Sequence, residues 1–313
     1  MLERALSILL AFVIASVDLE AQDKAASKRP PGEKTADREE GNFLVGETAH
    51  YTIHVQKGAL NKKTKAPDKE ILHDLKAKME LLFEKYAAAF HFKGELSQKP
   101  VLRVYKDKTA YVQSGGPMGS AAYYNSKTKE LVGYEDSADT GILFQILCHE
   151  GCHQFFDLAF PGFYDSPDLP MWFSEGLADC FGASYIEGKD LIIFSLSGVA
   201  AWRVNMIKNA VQTKSHPALK DLLEMGRQPF MANAVTHYAM SWSFVHFLWN
   251  APNLDSGGGK YKESVKRLIE GFKQGKPKAE VYKDAFRVGD QPLELDQLEQ
   301  EWKAYVATLR AKR

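Results

Sequence analysis

The chain has only three cysteines in 313 residues, Cys148, Cys152 and Cys180, which excludes a small disulfide-stapled fold. It has no net charge, since 40 basic residues balance 40 acidic ones, and its basic side chains are scattered. That removes the basic patch on which nucleic-acid binding rests, so no nucleic-acid partner is expected. No internal repeat is present, which excludes solenoids and propellers. Large apolar residues are scarce from Gln22 to Asn42, a charged stretch with Pro30-Pro31-Gly32 and no aromatic side chain. Such a stretch buries too little surface to offset its ordering entropy, so 22–42 is expected to be a flexible linker.

Ahead of it, residues 1–21 read as a secretory signal peptide. Arg4 supplies the positive start, Leu6 to Val17 an apolar core broken only by Ser7 and Ser16, and Ala21 a small residue before a cut. The core is too short for a comfortable membrane span, and uncleaved anchoring is the alternative. No cysteine follows the core, which argues against a lipid anchor. The mature chain is expected to be secreted or periplasmic, with no membrane attachment once the signal is cut.

About 270 residues remain, enough for one large domain or two joined lobes. An α+β fold is expected: an N-terminal mixed sheet with helices over 43–140, then a mostly helical lobe over 141–313. His50 to Val55 alternates polar and apolar residues like a half-buried strand, and Val101 to Tyr105 is a second strand. Between them, Ile71, Leu75, Met79, Leu82, Phe83 and Tyr86 recur at the spacing of an amphipathic helix over Glu70 to Phe92. Ala121 to Asn125 and Glu130 to Tyr134, joined by Ser126-Lys127-Thr128-Lys129, read as a β-hairpin. Further on, helices are expected over Val199–Val211, Pro217–Met225, Ala234–Trp249, Tyr261–Phe272 and Leu293–Leu309. Ile186–Phe194 should hold a short strand or loop, and Gly257-Gly258-Gly259 a loop.

The chemistry concentrates in Cys148-His149-Glu150-Gly151-Cys152-His153, inside an apolar run from Ile142 to Leu158 long enough for a helix of four turns. Positions i and i+4 share a helix face, so His149 and His153 can offer imidazole nitrogens to one cation. Glu150 sits about 100° round the helix from His149, beside such an ion, where it can take a proton from water rather than bind the metal. Two histidines satisfied within a core helix are the alternative. A second expected helix, opened by Pro170, carries Glu175 and, one turn later, Asp179. Glu175 is a workable third ligand, and Asp179 can accept the second ring N–H of a ligating histidine. Trp172, Phe173, Gly176 and Ala178 around them suggest close packing rather than a solvated carboxylate pair.

Those residues resemble the gluzincin metallopeptidases, and more narrowly the peptidase MA-like families of secreted bacterial proteins. The likeness rests on His149-Glu150-x-x-His153, on Pro170-x-Trp172-x-x-Glu175-Gly176-Leu177-Ala178-Asp179, and on His237 to Leu248. It implies a zincin-like fold with one Zn2+ per chain on His149, His153 and Glu175. It also implies hydrolysis of peptide bonds in a peptide or protein substrate, with Glu150 as general base. In such enzymes an edge strand before the metal-binding helix receives extended substrate by strand addition. The resemblance gives that role to Gly119, Ser120, Ala121, Ala122, Tyr123 and Tyr124, although a hairpin that merely closes the sheet fits as well. Exopeptidases of this group carry an acidic residue there, and Gly119-Ser120-Ala121-Ala122 has none, which favours endopeptidase action.

Related enzymes also use a tyrosine opening a later helix to stabilise the oxyanion. Tyr238, 63 residues after Glu175, fits that pattern, and His237 is the neighbouring candidate. Packing in the core is the plainer role for Tyr238. The three cysteines are expected to be buried thiols, although Cys180 could pair with Cys148 or Cys152. Two function classes therefore stand: a secreted zinc peptidase, and a secreted binding module that retains the metal without catalysis.

Overall fold

The computed structural model describes residues 37–311, except 62–63, 136–139, 167, 197–198 and 251–259. The expected signal peptide, most of the expected linker and the Gly257–Gly259 loop lie outside the described residues. The fold is α+β, with eleven helices and a six-stranded mixed sheet among the described residues. The chain divides into two compact units, the first ending at Ala159 and the second beginning at Phe160. This division falls after the helix carrying His149 and His153, whereas the sequence reading sets its lobes apart at 140/141. Hydropathy changes character near residue 141, but that helix packs on the sheet that precedes it.

In the first unit, strands β1 (Arg38–Glu40), β2 (Phe43–Glu47), β3 (Thr52–Gln56), β4 (Val101–Tyr105), β5 (Ala122–Asn125) and β6 (Glu130–Tyr134) form one sheet in the order β1-β2-β3-β4-β6-β5. β3, β4 and β6 run parallel, and the outer pairs are antiparallel. Register places Ile53 beside Leu102, Leu102 beside Leu131, and Leu131 beside Tyr124. All four are buried, because alternation of side chains puts them on one face. Helix α1 (Asp68–Ala89) connects β3 to β4 and buries the expected stripe of Ile71, Leu75, Met79, Leu82, Phe83 and Tyr86, with Leu72 added. Each such side chain contributes roughly 1.5–3 kcal/mol.

Arg38–Glu40 corrects the expectation of an unstructured linker as far as Asn42. These residues are exposed, so hydropathy carries no sign of them. They are held by antiparallel pairing with Phe43–Val45, and by the Arg38–Glu47 and Lys57–Glu39 ion pairs. The short helix α2 (Lys108–Gln113) follows β4, capped where the Asp107 carboxylate accepts the Ala110 N–H at 2.8 Å. The unit closes with α3 (Thr140–Ala159).

The second unit is mostly helical: α4 (Met171–Gly182), α5 (Val199–Gln212), α6 (Leu219–Glu224), α7 (Arg227–Ala232), α8 (Ala234–Asn250), α9 (Lys262–Lys273), α10 (Lys278–Ala285) and α11 (Leu295–Thr308). Two small hairpins, Tyr185–Glu187 with Asp190–Ile192 and Arg287–Val288 with Gln291–Pro292, complete it. Every residue of α8 from His237 to Leu248 is buried, as a helix apolar on all sides must be. Two indole donors within this core are satisfied: Trp172 Nε1–H donates to Tyr282 Oη at 2.9 Å and Trp302 Nε1–H to Ser243 Oγ at 3.1 Å. No helix among the described residues is long and apolar enough to cross a membrane.

Candidate metal centre

Three hydrogen bonds fix α3 within the first unit. Gln154, fully buried, donates from Nε2 to the carbonyl oxygens of Val101 at 3.0 Å and Lys129 at 2.9 Å. From α1, the Tyr86 hydroxyl donates to the Cys148 carbonyl at 2.5 Å. Gly151 leaves room for that approach, since a Cβ there would meet Tyr86 Oη at 3.1 Å. The anchored helix carries His149 and Glu150, both nearly inaccessible, and a half-buried His153 one turn later. The two imidazole centroids stand 5.1 Å apart with their planes at 77°.

Glu150 does not stand alone. Its Oε2 accepts the main-chain N–H of Tyr124 at 3.0 Å. Tyr124 lies on β5, which is an edge strand of the sheet. The Tyr134 N–H bonds to the Ala121 carbonyl, so by alternation the main-chain groups of Ala122 and Tyr124 face away from β6. The Ser120 hydroxyl, itself buried, takes up the Ala122 groups: it donates to that carbonyl and accepts that N–H. Of the residues expected to receive substrate, Ser120 and Ala122 are therefore engaged with each other. Gly119, Ala121 and Tyr123 are half-buried around them. The Tyr124 phenol donates to Asp157 Oδ2 at 2.5 Å. Burial first, and then this bond, push its pKa upward, so the proton stays on the phenol.

In the second unit, α4 begins directly after Pro170 and presents a half-buried Glu175 and a buried Asp179. A Cβ on Gly176 would stand 2.6 Å from the Ser241 carbonyl oxygen. Only glycine therefore lets α4 lie so close to the backbone of α8. Asp179 Oδ1 accepts from Arg203 Nη2 on α5 at 2.6 Å, an ion pair buried on both sides. Arg203 is absent from the sequence expectations. Its only signal is a lone cation in the apolar run Val199-Ala200-Ala201-Trp202-Arg203-Val204.

Arg203 also reaches the face of Tyr238, its guanidinium carbon 6.0 Å from the ring centroid. Phe230 meets the same tyrosine edge-on at 5.3 Å. The neighbouring His237 is buried, with Nδ1 2.7 Å from the Phe230 carbonyl oxygen. A carbonyl only accepts, so Nδ1 carries the hydrogen.

Among the described residues, one group of histidine, cysteine and carboxylate side chains could hold a metal ion: His149, His153 and Glu175, with ligand atoms all within 4.8 Å of one another. Two imidazoles and one carboxylate fit a zinc ion by chemistry. His237 and the cysteines do not belong to the group. Cys148, Cys152 and Cys180 are all buried thiols, with no disulfide from Cys180 to either of the others. Burial pushes the Cys148 thiol well above its ordinary range, away from the thiolate that a metal needs.

Comparison with known proteins falls on this same part of the chain. No curated protein matches it. The family model described as Protein of unknown function (DUF1570) matches residues 145–254. That span contains His149 to His153, Glu175 to Asp179, and the helix with His237 and Tyr238, so the chain is similar to that family where its candidate ligands lie.

Proposed function

We propose that this protein is a secreted zinc metallopeptidase of the gluzincin type, acting as an endopeptidase on peptide or protein substrates. The observation that supports it most is the clustering of the His149, His153 and Glu175 donor atoms, with a buried carboxylate, Glu150, next in the chain to one of them. The signal-like start of the sequence supports export.

His149, His153 and Glu175 would hold the ion, leaving one of four positions open. A zinc ion there supplies Lewis acidity, acidifying water and polarising the carbonyl to be attacked. Glu150 takes one proton from the attacking water as its oxygen bonds to the peptide carbon. The same carboxyl returns a proton to the amide nitrogen as the C–N bond breaks, leaving a carboxylic acid and an amine. The oxygen that gains negative charge on the way needs a donor. Tyr238 supplies one as a phenol. His237 already gives its Nδ1–H to the Phe230 carbonyl. Asp179, held in place by Arg203, would accept the second ring N–H of a ligating imidazole.

Incubating zinc-loaded protein with a diverse peptide mixture and mapping the new termini tests the activity. Cleavage inside peptides is expected. Glu150→Gln should keep zinc and lose roughly 10²–10⁴ in kcat. A Gln variant as fast as the parent would overturn the mechanism. A zinc-saturated parent that cuts nothing would instead favour a binding module with a retained metal.

A further inference from the structure

Tyr124 touches α3 at two places. Its main-chain N–H meets Glu150 Oε2 at 3.0 Å, and its phenol meets Asp157 Oδ2 at 2.5 Å. Glu150 and Asp157 are seven residues apart, two turns on one helix face. A tyrosine lying along that face is long enough to reach both. The far contact is reinforced by Lys129, at the end of the β5–β6 turn, whose Nζ stands 2.7 Å from the same Asp157 oxygen. Tyr124 itself is buried, and at the other end of the strand Ser120 closes the main-chain groups of Ala122. The edge of β5 is thus tied down by the chain's own side chains on either side of the base.

We propose that Tyr124 is a positioning residue for Glu150. Its phenol, anchored on Asp157, sets how β5 lies along α3, and that placement keeps the Tyr124 N–H aimed at the carboxylate. The N–H holds one oxygen of the base in place and stabilises its charge, as a donor to a carboxylate does. Without the anchor, β5 is free to slide, and a displacement of about an ångström at a reacting group is enough to slow chemistry severely. A second consequence follows for substrate. The Tyr124 N–H is committed to the base, so an extended chain laid along β5 does not pair with it.

The kinetic half of this inference rests on the peptidase reading; the hydrogen-bond half does not. Tyr124→Phe keeps the ring and removes the phenolic donor. Amide exchange at residue 124, followed by NMR, should rise about tenfold or more, while the amides of Leu102 and Val104 in the middle of the sheet stay at the parent rate. Glu150→Ala should release the same amide. In turnover, Tyr124→Phe should lower kcat on the order of tenfold with KM and zinc content unchanged. Asp157→Leu should match it, the double variant should be no worse than either single one, and Asp157→Asn, which keeps an acceptor, should restore most of the rate. Parent-like exchange at residue 124 in Tyr124→Phe overturns the proposal. So does parent-like kcat in that variant when Glu150→Gln is dead. If the parent has no peptidase activity, the peptidase reading falls, and exchange alone decides whether Tyr124 holds Glu150.

Discussion

Arg203 Nη2 stands 2.6 Å from Asp179 Oδ1, and neither side chain exposes more than 2 % of its surface. Asp179 lies one turn beyond Glu175 on α4, while Arg203 comes from α5. Taking both charges out of water is costly, and the pair is sustained only because each stands against the other. Arg203 also lies over the ring of Tyr238. One buried cation therefore touches two residues whose expected roles concern the metal and the oxyanion.

Removing one partner of that pair should be far worse than removing both. Arg203→Met leaves a carboxylate buried without its counter-charge and should cost about 3–5 kcal/mol. Combining it with Asp179→Leu should recover most of that loss. Denaturant unfolding of the two variants and the parent measures the difference. An Arg203→Met protein that unfolds at the parent midpoint would show that the pair does not hold the second unit together.

His246 offers a test by pH. Its Nε2–H donates to the Phe194 carbonyl at 3.2 Å, and its Nδ1 accepts from the Tyr305 hydroxyl at 2.8 Å. Burial lowers its pKa from an ordinary 6.5 to about 4. Below 6.5 the unfolded chain binds a proton that the folded one refuses, so folding loses free energy as pH falls. The contribution is whole above pH 6.5 and gone near pH 4, a loss of about 3 kcal/mol. His54 shifts the same way on the half-exposed face of the sheet, so the variant must be read against the parent. His246→Gln should flatten the stability curve by about one proton across that window. An unchanged slope would mean that His246 is protonated in the folded state.

Strong periodicity made much of this fold legible. Val101–Tyr105 is a strand with the expected bounds, and α1 buries all six residues of its expected stripe. The motif histidines were legible because i and i+4 meet on any helix, whatever lies around it. The elements that escaped are short or exposed. Arg38–Glu40 has no buried side chain, and Arg227–Ala232 buries only Phe230, so neither leaves a pattern in hydropathy. Arg203, and the bond from Tyr124 to Glu150, escaped for another reason. Their partners, Asp179 and Glu150, lie more than twenty residues away in sequence, and no local spacing announces a contact that the tertiary fold creates. The boundary at 159/160 differs from the sequence reading because hydropathy reports which residues are buried, not which neighbour buries them. Phe160-Pro161-Gly162, directly after α3, is the signal that marks it.

The central claim is that His149, His153 and Glu175 together hold a catalytic zinc. Zinc titration of the purified protein, followed by metal analysis after dialysis, tests it most directly. One zinc per chain is expected in the parent and in Glu150→Gln, because the base is not a ligand. His153→Ala and Glu175→Ala should each lose stoichiometric binding, since either removes one of three ligands. Retention of one zinc at parent affinity in both of those variants would contradict the claim.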